Sequence, residues 1–87
     1  MNDRLTFTAN AWEDYRYWET EDRKTLNRIN RLIMDIQRNG ISTGIGKPEP
    51  LRYRPGWSRR IDEANRLTYE IDHDSLIILG CRGHYED

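Results

Sequence analysis

Glu49 stands between Pro48 and Pro50, and Arg52, Arg54, Arg59 and Arg60 follow shortly after it. A proline fixes its own φ and pushes the residue before it into an extended conformation. The carboxylate of Glu49 is therefore expected to project from a stiff piece of backbone at the border of a basic stretch. A carboxylate held in that manner can take a proton as a general base. Guanidinium groups bind phosphate oxygens through two parallel hydrogen bonds. Histidine is the common general acid near neutral pH, and His84 lies near the C-terminus beside Tyr85. A base, paired arginines and an acid are the set that metal-free RNA cleavage needs. The base takes the 2′-hydroxyl proton, the arginines neutralise charge on the phosphorane, and the acid protonates the departing 5′-oxygen.

The same residues also fit an ordinary surface. Glu49 can be a turn carboxylate paired with Lys47 or Arg59, and two exposed arginines are tolerated in water. A histidine close to a terminus needs no function, nor does His73 in the Asp72-His73-Asp74 turn. Residue types and spacing leave both readings open. Two other chemistries fit poorly. The run Gly44-Ile45-Gly46-Lys47-Pro48 is no P-loop, since Pro48 stands where a serine or threonine should meet magnesium. Cys81 and His84 have a metal-like spacing without further ligands, so neither a metal nor a cofactor is expected, and Cys81 reads as a small core residue.

The elements that must position these groups show in the periodicity. Leu5 and Phe7 read as a short first strand. Thr8 or Asn10 can cap a helix in which Ala11, Trp12, Tyr15 and Trp18 recur at helical spacing. Thr20 is the candidate cap of a second helix, marked by Leu26, Ile29, Ile33 and Ile36 and stopped at Asn39-Gly40. The stretch ISTGIGKPEP is a loop. After Pro55-Gly56 the period becomes two. Trp57, Arg59 and Ile61 point one way, Ser58 and Arg60 the other; Leu67, Tyr69 and Ile71 alternate with Arg66, Thr68 and Glu70. Leu76-Ile77-Ile78-Leu79 is a continuous apolar run, as in a strand buried on both faces. The expected fold is one α+β domain over residues 1–87, β-α-α followed by an antiparallel meander of three or four strands, with the helices on one face of a twisted sheet. Arg60 and Arg66 would then share the outer face.

Composition sets the limits. A chain of 87 residues with 36% hydrophobic residues and a mean hydropathy of −1.00 buries a thin core. The three tryptophans and five tyrosines are expected to supply much of it, and a partner or a second copy fits such a chain. The net charge of −1 conceals a segregation: residues 1–22 carry −4, residues 23–66 carry +7 and residues 67–87 carry −4. A basic middle between acidic ends can attract a polyanion locally. One cysteine excludes an internal disulfide, no apolar run reaches membrane-spanning length, and MNDRLTFTAN lacks a signal-like apolar stretch. A cytoplasmic protein with no membrane contact is the expectation.

The segments AWEDYRYWETEDRKTLNRINRLIMDI, GIGKPEPL, WSRRI, RLTYEI and DSLIILGCRGHY together resemble the YoeB/Txe toxins of the RelE/ParE superfamily of bacterial toxin–antitoxin systems. The resemblance covers nearly the whole chain. It implies a RelE-like (microbial RNase-like) fold and a toxin that cuts translated mRNA in the A site of the 70S ribosome. It also implies a YefM/Phd-type antitoxin that, bound to the toxin, represses the operon through operator DNA, and it is compatible with a homodimer. Glu49 corresponds to the general base, Arg60 and Arg66 to the charge-stabilising arginines, and His84 to the general acid. Tyr85 corresponds to a neighbouring active-site residue that would orient substrate, and Lys47 and Arg59 would help hold RNA. Ala64-Asn65 stands where the family commonly has Glu-His, and Gly83 replaces a bulkier residue. The alternative on the same fold is a non-enzymatic ParE-like toxin, or an interaction module, that acts by binding a protein.

Overall fold

Thr8 and Asp22 organise the helical half of the chain. The computed structural model describes residues 4–83. After strand β1 (Arg4–Phe7), Thr8 adopts an extended conformation and its Oγ1 accepts the Ala11 N–H at 3.1 Å, which caps α1 (Ala9–Glu21). Asp22 ends α1 and caps α2 (Arg23–Asn39) at once. Its N–H donates to the Trp18 carbonyl, while its carboxylate accepts from the N–H groups of Lys24 and Thr25 and from the Thr25 hydroxyl. The Thr25 hydroxyl, with the Thr25 amide, holds the Asp22 pKa below its ordinary value. Thr20, the cap expected from sequence, lies inside the last turn of α1 and donates to the Tyr17 carbonyl. A carboxylate offers more acceptor capacity than a hydroxyl and gains from the helix dipole, so Asp22 takes the position. Gly40 closes α2 at φ 98°, a left-handed backbone that suits glycine.

The remaining strands are β2 (Glu49–Pro50), β3 (Trp57–Arg60), β4 (Arg66–Asp72) and β5 (Ser75–Gly80), and the sheet order is β1-β5-β4-β3-β2. The last four are antiparallel to one another, as the meander requires. β1 adds itself to β5 in parallel, with Arg4 opposite Ser75. Among the described residues the sheet thus has five strands, because the two-residue β2 and the N-terminal strand both join the meander.

The helix-facing side is the core. Ile29, Leu32 and Ile36 of α2 pack with Leu67, Tyr69, Leu76 and Ile78, all fully buried. Each such side chain contributes about 1.5–3 kcal/mol on burial, and Leu32→Ala would cost about 2–5 kcal/mol. Leu76 and Ile78 are buried whereas Ile77 and Leu79 are half-buried, so β5 is closed mainly on its helix side. Among the aromatics, Trp18 and Tyr69 belong to the core. Trp12 stays 49% exposed, stacked on Tyr15, so aliphatic residues supply more of the interior than composition suggests. The Trp18 indole N–H donates to the Cys81 carbonyl at 2.8 Å, which ties α1 to the end of β5. Cys81 is a buried core residue; burial, then Asp14, pushes its thiol up to about 12, which leaves it an inert hydrophobe. Among the described residues no helix is long and apolar enough to cross a membrane.

Candidate active site

On the face turned away from the helices, β2, β3 and β4 place a polar set in register. Glu49 stands opposite Ser58, Ser58 opposite Thr68, and Arg60 opposite Arg66. Directly opposed residues share a face. Glu49, Arg60 and Arg66 are therefore brought together: strand parity already puts Arg60 with Arg66, and the pairing of β2 with β3 adds Glu49.

Arg66 is the most constrained of them. Its Nε donates to Ser58 Oγ at 3.0 Å, and its Nη2 lies 3.4 Å from Glu49 Oε1. The Arg66 side chain is 15% exposed and that of Glu49 63%. The arginine is thus aimed from below and the carboxylate is open to solvent. An ion pair this long and exposed is worth at most about 1 kcal/mol, so it orients the two groups more than it stabilises the fold. Phosphate oxygens can replace the carboxylate as the partner of Arg66 at little cost. Arg60 is exposed and forms no ion pair among the described residues; its backbone is held by Gly46 and by Arg28. Lys47 is exposed on a left-handed backbone at φ 51°, just before the Pro48-Glu49-Pro50 stretch.

His84 and Tyr85 lie outside the described residues. The chain before them is tied to the site. Gly83 N–H donates to Asn65 Oδ1 at 2.8 Å, and Arg66 N–H donates to the Gly83 carbonyl at 3.0 Å. Asn65 is itself held by its amide to both oxygens of Asp62. Asn65 is therefore the residue that clips Gly83 beside Arg66.

Arg59 is placed differently from the sequence expectation. The resemblance implies RNA binding with Lys47, but the Arg59 side chain is 0% exposed and faces the helices with Leu67. All five of its N–H donors are taken within the protein, by Tyr69 Oη, by Asp35 Oδ2 and by the carbonyls of Gly40, Thr43 and Ile45. A buried guanidinium without such partners would be prohibitively costly, and one with them has no donor left for a phosphate.

Sequence reasoning also missed Ser58 and Asp35. Ser58 alternates with Arg59 and so shares the outer face with Arg60, a legible signal that it could touch an arginine. Asp35 is the only acid in α2 among five bases and follows the apolar run Leu32-Ile33. Thr68 Oγ1 is, among the described residues, the buried side-chain polar atom with no hydrogen-bond partner. Among the described residues no three His, Cys, Asp or Glu side chains converge into a metal-holding group.

Residues 7–85 match the family model described as YoeB-like toxin of bacterial type II toxin–antitoxin system. The chain is 51% identical over 84 residues to Toxin YoeB of Streptomyces coelicolor, covering 94% of this chain and 99% of that one. The YoeB dimer from Staphylococcus aureus superposes with a TM-score of 0.88 at 43% identity, over 94% of this chain and 97% of that one. YoeB in the heterotetrameric YoeB–YefM complex of the same organism gives 0.87 at 42% identity, with the same coverage of both chains. With the fold and nearly the full length in agreement, the chain belongs to the YoeB-like toxin family of bacterial type II toxin–antitoxin systems.

Proposed function

We propose that this toxin is a ribosome-dependent mRNA endoribonuclease that works without a metal or cofactor. The observation that carries the reading is the Glu49–Arg66 contact at 3.4 Å with Arg60 opposite Arg66 on the same open face. A carboxylate beside two guanidinium groups is the arrangement in which a base and a phosphate meet.

Glu49 removes the proton from the ribose 2′-hydroxyl. The 2′-oxygen forms a bond to phosphorus as the bond from phosphorus to the 5′-oxygen breaks. Arg60 and Arg66 take up the added charge on the non-bridging oxygens, and His84 donates a proton to the departing 5′-oxygen. Tyr85 orients the substrate and Lys47 holds the strand nearby. The ribosome presents mRNA in an extended form, which lowers the entropic cost of reaching this geometry. That substrate places the action in the cytoplasm. A YefM/Phd-type antitoxin would restrain the toxin, as the Staphylococcus aureus complex suggests for its own pair.

The test is end-group analysis of mRNA on programmed ribosomes after incubation with the toxin. Fragments with 2′,3′-cyclic phosphate and 5′-hydroxyl ends are expected. A 5′-phosphate would point to hydrolysis by another route, and intact mRNA would favour a toxin that acts by binding a protein.

A further inference from the structure

Glu49 is poorly anchored by its own strand. β2 has two residues, and Pro48 and Pro50 on either side of Glu49 carry no N–H. Its pairing with β3 is confined to Glu49 opposite Ser58 and Pro50 opposite Trp57. Downstream, the Leu51 N–H donates to the Gly56 carbonyl at 2.9 Å; upstream, only Lys47 and Pro48 separate Glu49 from the 40–46 loop.

That loop is wrapped around one guanidinium. Arg59 Nη2 donates to the carbonyls of Gly40 and Thr43, both at 2.8 Å, and its Nη1 donates to the carbonyl of Ile45 at 3.0 Å. Asp35 completes the grip, because the same Oδ2 that receives Arg59 Nη1 also accepts the Ile45 N–H at 3.1 Å. Tyr69 Oη accepts from Arg59 Nε and donates to the Ile41 carbonyl at 2.6 Å. The loop backbone then runs close against this cluster. A Cβ at Gly44 would collide with the Asp35 carboxylate and Arg59 Nη1, and one at Gly46 would stand 2.8 Å from Leu32 Cδ2 and 3.2 Å from Arg59 Cβ. Past Gly46, whose carbonyl accepts the Arg60 N–H at 2.7 Å, the chain reaches Glu49.

We propose that Arg59 is a positioning residue for Glu49: fixed by Asp35 and Tyr69, its guanidinium sets the course of the 40–46 loop and so the point at which the Glu49 carboxylate meets Arg66. The inference rests on Glu49 as the base. A buried ion pair is poor evidence of stability, since apolar residues of similar volume often serve as well. A planar fork with five directed donors does what an apolar side chain cannot, which is to fix three carbonyls of an exposed loop at once. A displacement of about 1 Å in a reacting group costs on the order of 10²-fold in rate.

The variant Arg59→Lys keeps the charge and loses the fork. It is assayed as the full chain by single-turnover cleavage on programmed ribosomes at rising ribosome concentration, beside thermal unfolding and methyl NMR. The maximal rate should fall by about 10–100-fold while the half-saturating concentration changes by less than about 3-fold. The methyl signals of Ile41, Ile45 and Leu51 should move, and those of Ile29 and Ile78 should not. A purely structural role would lower the amplitude of the reaction and leave its rate constant intact, and that result overturns the proposal. If Arg59→Lys does not fold, Gly44→Ala decides, because it presses on the Asp35–Arg59 pair from an exposed loop; full rate in that variant also overturns the proposal. Glu49→Gln in the same assay separates the two ideas. An unchanged rate there sinks the base assignment. A slow Glu49→Gln with full-rate Arg59→Lys and Gly44→Ala sinks the positioning role alone.

Discussion

Arg60 and Arg66 stand directly opposite each other across β3 and β4, on the sheet face away from the helices. Like charges in that relation destabilise a sheet. Glu49 partly offsets Arg66, and Arg60 has no acidic partner among the described residues. The pair is a stored repulsion that a bound phosphate would relieve. Arg60→Gln should raise stability by about 0.2–1 kcal/mol at low salt, with a smaller gain at high salt as screening removes the repulsion. Cleavage should drop by about 10²–10³-fold. Thermal unfolding at two salt concentrations checks the first part, and a lower midpoint at low salt would show that the pair is not repulsive.

Glu49→Gln and His84→Gln preserve shape and remove the proton-transfer groups. Each should slow single-turnover cleavage on ribosomes by about 10²–10⁴-fold with little change in thermal midpoint. Full activity in either folded variant removes that residue from the mechanism.

Asp35 carries an acid-limb effect. Burial pushes its pKa up, but the hydrogen bonds from Arg59, the Ile45 amide and Asn39 outweigh burial, and the value in the folded protein lies below the ordinary 3.8. A carboxyl with a depressed folded pKa adds stability that is fully present above its unfolded value and is lost as pH falls through the folded one. Unfolding followed from neutral pH to below pH 3.8 should therefore show a loss at the acid end that is smaller in Asp35→Asn than in the parent. Parallel curves for the two proteins would mean that the carboxylate is not held as described.

Thr68 offers the opposite case. Among the described residues its hydroxyl is buried with no hydrogen-bond partner, so they leave its desolvation uncompensated. Thr68→Val has nearly the same shape and should be neutral or stabilising by about 1 kcal/mol. Denaturant unfolding measures it, and a clear destabilisation would reveal a hydrogen bond that the hydroxyl makes in solution.

The helices and the alternation of β3 and β4 were legible because their signals are local. Ile29, Ile33 and Ile36 recur within one helix, and a strand's two faces follow from period two alone. That parity had already grouped Arg59 with Trp57 and Ile61 on the inward side, against the RNA-binding role drawn from the family resemblance, and the structure sides with the parity. The pairing of Arg60 with Arg66 was legible for the same reason, once a short turn joined the two strands.

What tertiary structure alone decided lies at long range. Asp35 and Arg59 are far apart in the chain, and nothing local says that an acid on a helix will meet an arginine of a strand beneath a glycine-rich loop. The parallel docking of Arg4–Phe7 on β5 likewise joins segments about seventy residues apart in the chain, Arg4 opposite Ser75, and a parallel neighbour leaves no hairpin signal in sequence. Even the choice of Asp22 over Thr20 as cap depended on where α1 stopped, which packing of Trp18 against Cys81 helps to set. Residue types and period determined which groups could do chemistry and which face each would take. Only the folded chain, by satisfying every donor of one buried guanidinium, decided that Arg59 is committed to the interior while Arg60 stays exposed.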